Sequence, residues 1–215
     1  MRALLILILI TGTASADTNH EAMFGSHIRS LRSSSANALT DESLTGAVFG
    51  YGYRLPIDVM RKLELWATGM VAGSGVEGEM FQTLSTHMWN AQFTGGVRAR
   101  YDLWRGFVVA NARLDLGAQR LSMSLEDKMG HEAHDTAWGA LSTAALGLEL
   151  NPLVRRSFGL GLRAEFGYVF AQAIGMTARS DGAPEDTIEL DRMAASIGHL
   201  DASGRYFSFT ILGRF

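Results

Sequence analysis

The chain has 215 residues, among them 24 glycines, three prolines and no cysteine, and a formal net charge of -3. The lack of cysteine removes any disulfide framework or thiolate metal site. Past the first ten residues no apolar run approaches the ~20 residues of a membrane helix, so a helical membrane protein is excluded. A length of 215 residues without an internal repeat fits one domain.

Met1-Arg2 is a short basic segment, Ala3 to Ile10 is unbroken apolar sequence, and Ala14-Ser15-Ala16 is a small-x-small cleavage signal. This is the pattern of a secretory signal peptide over residues 1–16, cut before Asp17, leaving residues 17–215 as the mature domain. Removing one arginine and no acid takes the net charge to -4.

The mature chain reads as a series of strands. The first is expected within Glu21 to Leu31, with Phe24, Ser26 and Ile28 against Gly25, His27 and Arg29. Arg32 to Ser43, rich in Ser and Asn, reads as a loop. The second strand sets Ala47, Phe49, Tyr51, Tyr53 and Leu55 against Gly46, Val48, Gly50, Gly52 and Arg54, and Pro56 ends it. A third, about Lys62 to Met70, has Leu63, Leu65 and Ala67 opposite Glu64, Trp66 and Thr68; Val71 to Asn90, with Gly73-Ser74-Gly75, reads as mostly loop, its end a candidate extension of the next strand.

The fourth strand separates Ala91, Phe93, Gly95, Val97, Ala99, Tyr101 and Leu103 from Gln92, Thr94, Gly96, Arg98, Arg100 and Asp102. The fifth sets Val108, Ala110, Ala112, Leu114 and Leu116 against Val109, Asn111, Arg113, Asp115 and Gly117. Keeping both apolar faces together demands an even loop, which Arg105-Gly106 supplies as a two-residue turn. Ser122 to Thr136 reads as a polar loop, and the sixth strand runs from about Trp138 to Leu150 before a short turn at Asn151-Pro152. The seventh places Phe158, Leu160, Leu162, Ala164, Phe166, Tyr168 and Phe170 against Gly159, Gly161, Arg163, Glu165 and Gly167. After a long segment from Ala171 to Gly204, the last strand alternates Phe207, Phe209, Ile211, Gly213 and Phe215 with Tyr206, Ser208, Thr210, Leu212 and Arg214.

About eight strands of roughly ten residues, joined alternately by short and long connections, with aromatics near their ends, resemble the small outer-membrane β-barrels of the OmpA and OmpX type. The resemblance implies an all-β, antiparallel up-and-down transmembrane barrel, exported by the Sec route and monomeric in the outer membrane of a Gram-negative bacterium. It implies contact with outer-membrane lipid and lipopolysaccharide. It also implies that the barrel-assembly machinery reads the C-terminal strand through Phe207, Phe209, Ile211 and Phe215. A soluble barrel of the lipocalin kind is the competing architecture, but stacked aromatics from most strands would overfill its narrow interior.

In a transmembrane barrel the polar faces line the lumen, which then holds Arg54, Lys62, Arg98, Arg100, Arg113, Arg163 and Arg214 with Glu64, Asp102, Asp115, Glu149 and Glu165. An eight-stranded interior is barely wider than its side chains, so these charges are expected to pair into a salt-bridged plug. The Arg105-Gly106 turn places Arg98 opposite Arg113, with Asp115 diagonal to Arg98. A gated narrow pore for small solutes is the alternative.

The four long loops carry fourteen acidic and four basic residues, a net of -10. Such a surface disfavours nucleic acid and suits a basic partner or cation-bridged lipopolysaccharide, so the expected role is structural or adhesive, through an extracellular partner the sequence does not name. Within one loop, His131, Glu132, His134 and Asp135 are weak metal-ligand candidates, lacking the spacing of the helical zinc motif. No cofactor is expected. A lipid A-modifying enzyme is the remaining alternative, with Ser26, His27 and His199 as its only candidates and no acid partner at a readable spacing.

Overall fold

The computed structural model describes residues 19–31, 43–57, 62–80, 84–127, 132–154, 158–180 and 195–215. The signal peptide expected over residues 1–16 and most of the Arg32–Ser43 loop lie outside them. Ten strands are described: β1 (His20–Leu31), β2 (Leu44–Arg54), β3 (Leu63–Met80), β4 (Leu84–Trp104), β5 (Val108–Asp127), β6 (Glu132–Val154), β7 (Gly159–Ala171), β8 (Ile174–Ser180), β9 (Ala195–Leu200) and β10 (Gly204–Arg214). Eight of them, β1 to β7 and β10, pair antiparallel with their neighbours in a closed ring. The ring closes between β10 and β1, and the Phe215 and His20 backbones exchange both hydrogen bonds at 3.1 Å. Closing the ring removes the open sheet edges that lipid would not tolerate.

Alternation sends successive side chains to opposite sides of this wall. Phe24, Phe49, Val97, Leu114, Leu148, Phe166 and Phe209 all point outward and are exposed, Leu114 by 69%. Their strand neighbours Arg98, Arg113, Asp115, Glu149, Arg163 and Glu165 point inward and are buried. Apolar outside and charged inside is the polarity of a wall standing in lipid. The belt runs from a lower aromatic ring with Tyr53, Tyr101, Trp104 and Phe107 to an upper one with Trp89, Trp138 and Phe170, as interfacial girdles do. The barrel is a transmembrane one.

Arg105 and Gly106 have φ of 47° and 73°, and the Phe107 N–H donates to the Trp104 carbonyl at 2.8 Å. Two left-handed residues in a two-residue loop match the right-handed twist of the flanking strands. Arg98 consequently pairs in register with Arg113.

Three expectations about length are overturned. Strands are not roughly ten residues but reach 18 in β3, 21 in β4, 20 in β5 and 23 in β6. The segments Val71–Asn90 and Ser122–Thr136 are largely ladder, not loop. At Asn151-Pro152 the strand continues to Val154 through a register shift instead of turning. Gly73, read as a loop residue, sits in β3 beneath the Trp89 ring; a Cβ there would lie 2.9 Å from the indole.

The reason is an inversion of polarity above the upper aromatic ring. On β5 the outward residues change from Leu114, Leu116 and Ala118 to Arg120, Ser122, Ser124 and Glu126, while the inward ones change from Arg113 and Asp115 to Leu121, Met123 and Leu125. Leu31, Leu44, Val76 and Met88 join Leu121 and Met123 in one buried apolar cluster. The long Ala171–Gly204 segment is not a plain loop: β8 and β9 form a hairpin that adds Ile174, Met176 and Leu200 to that cluster. The upper barrel has the polarity of a soluble protein, and the lower one that of a membrane protein.

The inversion predicts opposite outcomes for one substitution on one face of β5. Leu114→Arg, in the belt, should cost about 2–4 kcal/mol in urea unfolding from lipid vesicles, whereas Ser124→Arg should cost about 0–1 kcal/mol. Equal costs would show that Ser124 also faces lipid.

Candidate functional site

The charges of the lower lumen gather on two carboxylates. Glu21, from β1, accepts from Arg98 Nη2 and Arg163 Nη2 through Oε1, each at 2.7 Å, and from Arg214 Nε through Oε2 at 3.0 Å. Glu149, from β6, accepts from Arg100 Nη2 at 2.6 Å, from Arg163 Nη2 at 3.0 Å and from Arg214 Nη2. Arg100 also donates to Glu64 at 2.6 Å, and Glu64 pairs at 3.4 Å with Arg54 near the rim. Asn151 ties the cluster to the turn below, donating to the Gly106 carbonyl at 2.8 Å and accepting from Arg214 at 2.9 Å.

Trp66 is buried in the same layer, with the Arg98 and Arg100 guanidiniums 5.7 and 5.2 Å from its ring centroid. An aromatic face supports cations that carboxylates alone cannot fully surround. Room for this stack comes from Gly52, where a Cβ would lie 3.1 Å from Arg98 Nη2 and 3.4 Å from the indole.

A second cluster lies above. Arg113 donates to Asp115 at 2.6 Å and to the Tyr206 hydroxyl at 2.6 Å, and pairs with Glu165 at 3.0 Å. The Thr68 hydroxyl donates to the other Asp115 oxygen at 3.3 Å.

Arg54, Glu64, Arg98, Arg100, Arg113, Asp115, Glu149, Arg163, Glu165 and Arg214 are thus brought into two linked clusters, but two placements expected from alternation need correction. Asp102 accepts the Gly106 N–H at 2.8 Å and caps the turn, with no ion pair among the described residues. Lys62 is exposed just before β3, where its carbonyl accepts the Asp102 N–H, and stands outside the lumen. Asp115 stands diagonal to Arg98 as expected and pairs with Arg113 on its own strand, while Glu21 holds Arg98. Glu21 itself is absent from the expected lumenal set. Carrying the phase of Gly25, His27 and Arg29 back by two-residue steps puts Met23 and Glu21 on the inner face, which is the signal that locates it. Tyr206, Asn151 and Trp66 lie on correctly phased strands but are likewise absent from the expected network.

The other candidates separate. Ser26 faces outward and His27 inward, as adjacent strand residues must, so the two cannot converge on one substrate, and His199 is on β9. Glu132 and His134 point outward on β6, while Asp135 points the other way and accepts the Thr177 N–H at 2.7 Å; His131 lies outside the described residues. Among the described residues no three His, Cys, Asp or Glu side chains gather as a metal site would require.

A closed ring of eight strands, an apolar belt between aromatic rings and a charged interior together make the architecture of the small outer-membrane β-barrels. No family model matches the sequence, and a search of curated proteins gives no match. Among solved structures the chain is similar to Ail, the attachment invasion locus protein of Yersinia pestis, at 11% identity and a TM-score of 0.49, covering 91% of this chain and 97% of that one. It is also similar to Neisserial surface protein A, at 10% identity and a TM-score of 0.48, covering 94% of this chain and 99% of that one.

The geometry gives Glu21 a role that no other carboxylate can take over. Glu21→Gln leaves Arg98 without a carboxylate, and a loss of about 3–5 kcal/mol is expected for breaking one side of a buried pair. Adding Arg98→Met should recover much of it. Urea unfolding and heat-modified gel mobility of the single and double variants decide; strictly additive losses would show that the two residues are not coupled.

Proposed function

We propose that the protein is an outer-membrane barrel whose role is structural or adhesive, carried by the outward surface of its extracellular tier and not by transport through its lumen. The observation that supports this reading is the filling of the interior by two successive layers: the arginine–carboxylate clusters below and the apolar cluster of Leu44, Leu121, Met123, Met176 and Leu200 above. Ions crossing such a path would meet buried fixed charges and then a dry apolar stretch, each a large barrier. Purified protein in planar bilayers should therefore give no stable conductance. Steady single-channel steps would favour a narrow pore for small solutes.

The expected partner surface is acidic. Of the fourteen acids in the segments expected as long loops, Asp181, Glu185, Asp186, Glu189 and Asp191 fall in one stretch of eleven residues. A basic ligand, or divalent cations bridging lipopolysaccharide phosphates, has the matching chemistry, and attraction over such distances weakens with salt. Arg120 beside Trp138 and Arg205 beside Tyr168 face outward at the upper aromatic ring; there their guanidiniums can meet glycolipid phosphate. Cells displaying the protein should bind a polylysine-coated surface, and replacing the five acids by amides should reduce that binding. Undiminished binding would count against a role for this stretch.

Assembly is proposed to proceed through β10, whose outward face presents Phe207, Phe209 and Ile211, with Phe215 stacked on the His20 ring at 5.9 Å. Phe215→Asp costs only about 0–1 kcal/mol near an interface, so its defect should appear as slow insertion and not as a less stable barrel. Normal insertion kinetics in cells would remove Phe215 from that role.

A further inference from the structure

Two tryptophans of the upper aromatic ring are held in different ways. Trp138 stacks on Phe93 of the lipid belt, with ring centroids 6.1 Å apart. Trp89, one outward row higher on the wall, stacks on no ring among the described residues. Its indole lies over the backbone of β3 instead. A Cβ at Gly73 would stand 2.9 Å from its six-membered ring and one at Gly75 3.4 Å, so both positions have to be glycine for the ring to rest there. Trp89 is nevertheless 53% exposed. With one face on the glycine backbone, that exposure falls on the other. The indole lines an open groove of about 490 Å³ on the outer wall, together with Thr45, Glu77, His87, Ser122 and Ser124.

An aromatic plate rimmed by short polar groups has a definite chemical complement. A pyranose presents C–H bonds on its faces and hydroxyls around its edge. The C–H face meets the negative π-face of an indole, and the hydroxyls need both donors and acceptors around it. Here Glu77, its side chain 84% exposed, supplies acceptors, and the His87 ring stands 3.6 Å from it. Ser122 accepts from the Thr136 hydroxyl at 3.0 Å, which leaves its own proton to donate. The groove opens sideways from the wall and runs into the lipid belt below, where Val71 and Phe93 pair in the ladder and are both exposed. Between belt and plate, in the row of Gly73 and Ala91, Arg120 faces outward. Successive outward rows are about 7 Å apart. Apolar surface, cation, aromatic plate and hydroxyl partners thus follow one another upward, in the order in which an outer-leaflet glycolipid presents its chains, phosphate and sugars.

We propose that the Trp89 groove is a binding site for a sugar ring of an outer-leaflet glycolipid, which stacks on the indole and hydrogen-bonds Glu77 and His87 through its hydroxyls. This site rests on the lipopolysaccharide contact proposed above and gives that contact a preference for sugar, separate from the phosphate that Arg120 meets. Trp138, occupied by Phe93, has no such part.

The probes are rough lipopolysaccharide and phosphatidylglycerol, the second carrying phosphate without a sugar ring. The protein is reconstituted in phosphatidylcholine vesicles with graded amounts of either, at equal anionic charge, and the lipid retained on extraction into mild detergent is measured by native mass spectrometry. The unsubstituted protein should retain lipopolysaccharide in preference to phosphatidylglycerol. Trp89→Leu should weaken lipopolysaccharide retention about tenfold, the upper range for one ring-stacking contact, and leave phosphatidylglycerol unchanged. Glu77→Ala should weaken it in the same direction, and Trp138→Leu should keep the preference. Arg120→Gln should lower retention of both lipids. Equal retention of the two lipids by the unsubstituted protein, no effect of Trp89→Leu, or equal weakening of both lipids by it would overturn the sugar site. If Arg120→Gln weakens retention while Trp89→Leu does not, the lipopolysaccharide contact stands and only this site falls; no retention of lipopolysaccharide at all removes both. Soluble core oligosaccharide binding as tightly as the whole glycolipid would assign the groove to an extracellular glycan and overturn the membrane source.

Discussion

The structure depends on two carboxylates that tie its walls together. A β-ladder fixes each strand only to its neighbours, so nothing in the backbone joins one wall of a barrel to the opposite one. Glu21 and Glu149 supply that join. Between them they receive guanidiniums from β4, β7 and β10, and Arg163 and Arg214 each touch both. The cross-links replace the packed apolar core that a membrane barrel, with its apolar residues turned outward, cannot have. They also account for the lumen's composition, because arginine's planar fork can serve two carboxylates at once where a lysine could not.

That arrangement sets the height at which charge must give way. Once the wall rises above the lipid, its outer face meets water and no longer needs apolar cover, and its interior is free to close by the hydrophobic effect instead. The change falls within a few residues on each strand: on β4 it lies between Gln92 and Met88 inside, and between Trp89 and His87 outside. The β8–β9 hairpin then completes the upper core. The plug below and the core above are two solutions to one requirement, that an eight-stranded interior be filled, under two different solvents.

Much of the lower barrel is legible from alternation alone, because β2, β4, β5 and β7 set bulky apolar residues against glycine or charge, and β10 sets them against mostly polar ones. The upper barrel is not, although its pattern is just as regular. Between Leu116 and Leu121 the apolar residues of β5 pass from even to odd positions, and a reading that follows one phase takes that slip for the end of the strand. The phase change is itself the signal, since alternation resumes at once through Met123 and Leu125. Glu21 escapes for a different reason: β1 carries Ser26 on its lipid face and Met23 and Gly25 on its inner face, so the contrast between faces is weak there. Arg29 shows what alternation does not reveal. Its place on the inner face can be read, but that no described carboxylate pairs with it is a fact of three-dimensional reach.

The inverted upper tier has an evolutionary consequence. On β5, Leu121 and Met123 hold the frame from within while Ser122 and Ser124 alternate with them on the outside. Substitutions at exposed positions away from caps and ion pairs usually change stability by no more than about 0.5 kcal/mol. The outward residues can therefore drift with the inner skeleton unaltered. A surface built this way can change its face repeatedly without having to reinvent its barrel.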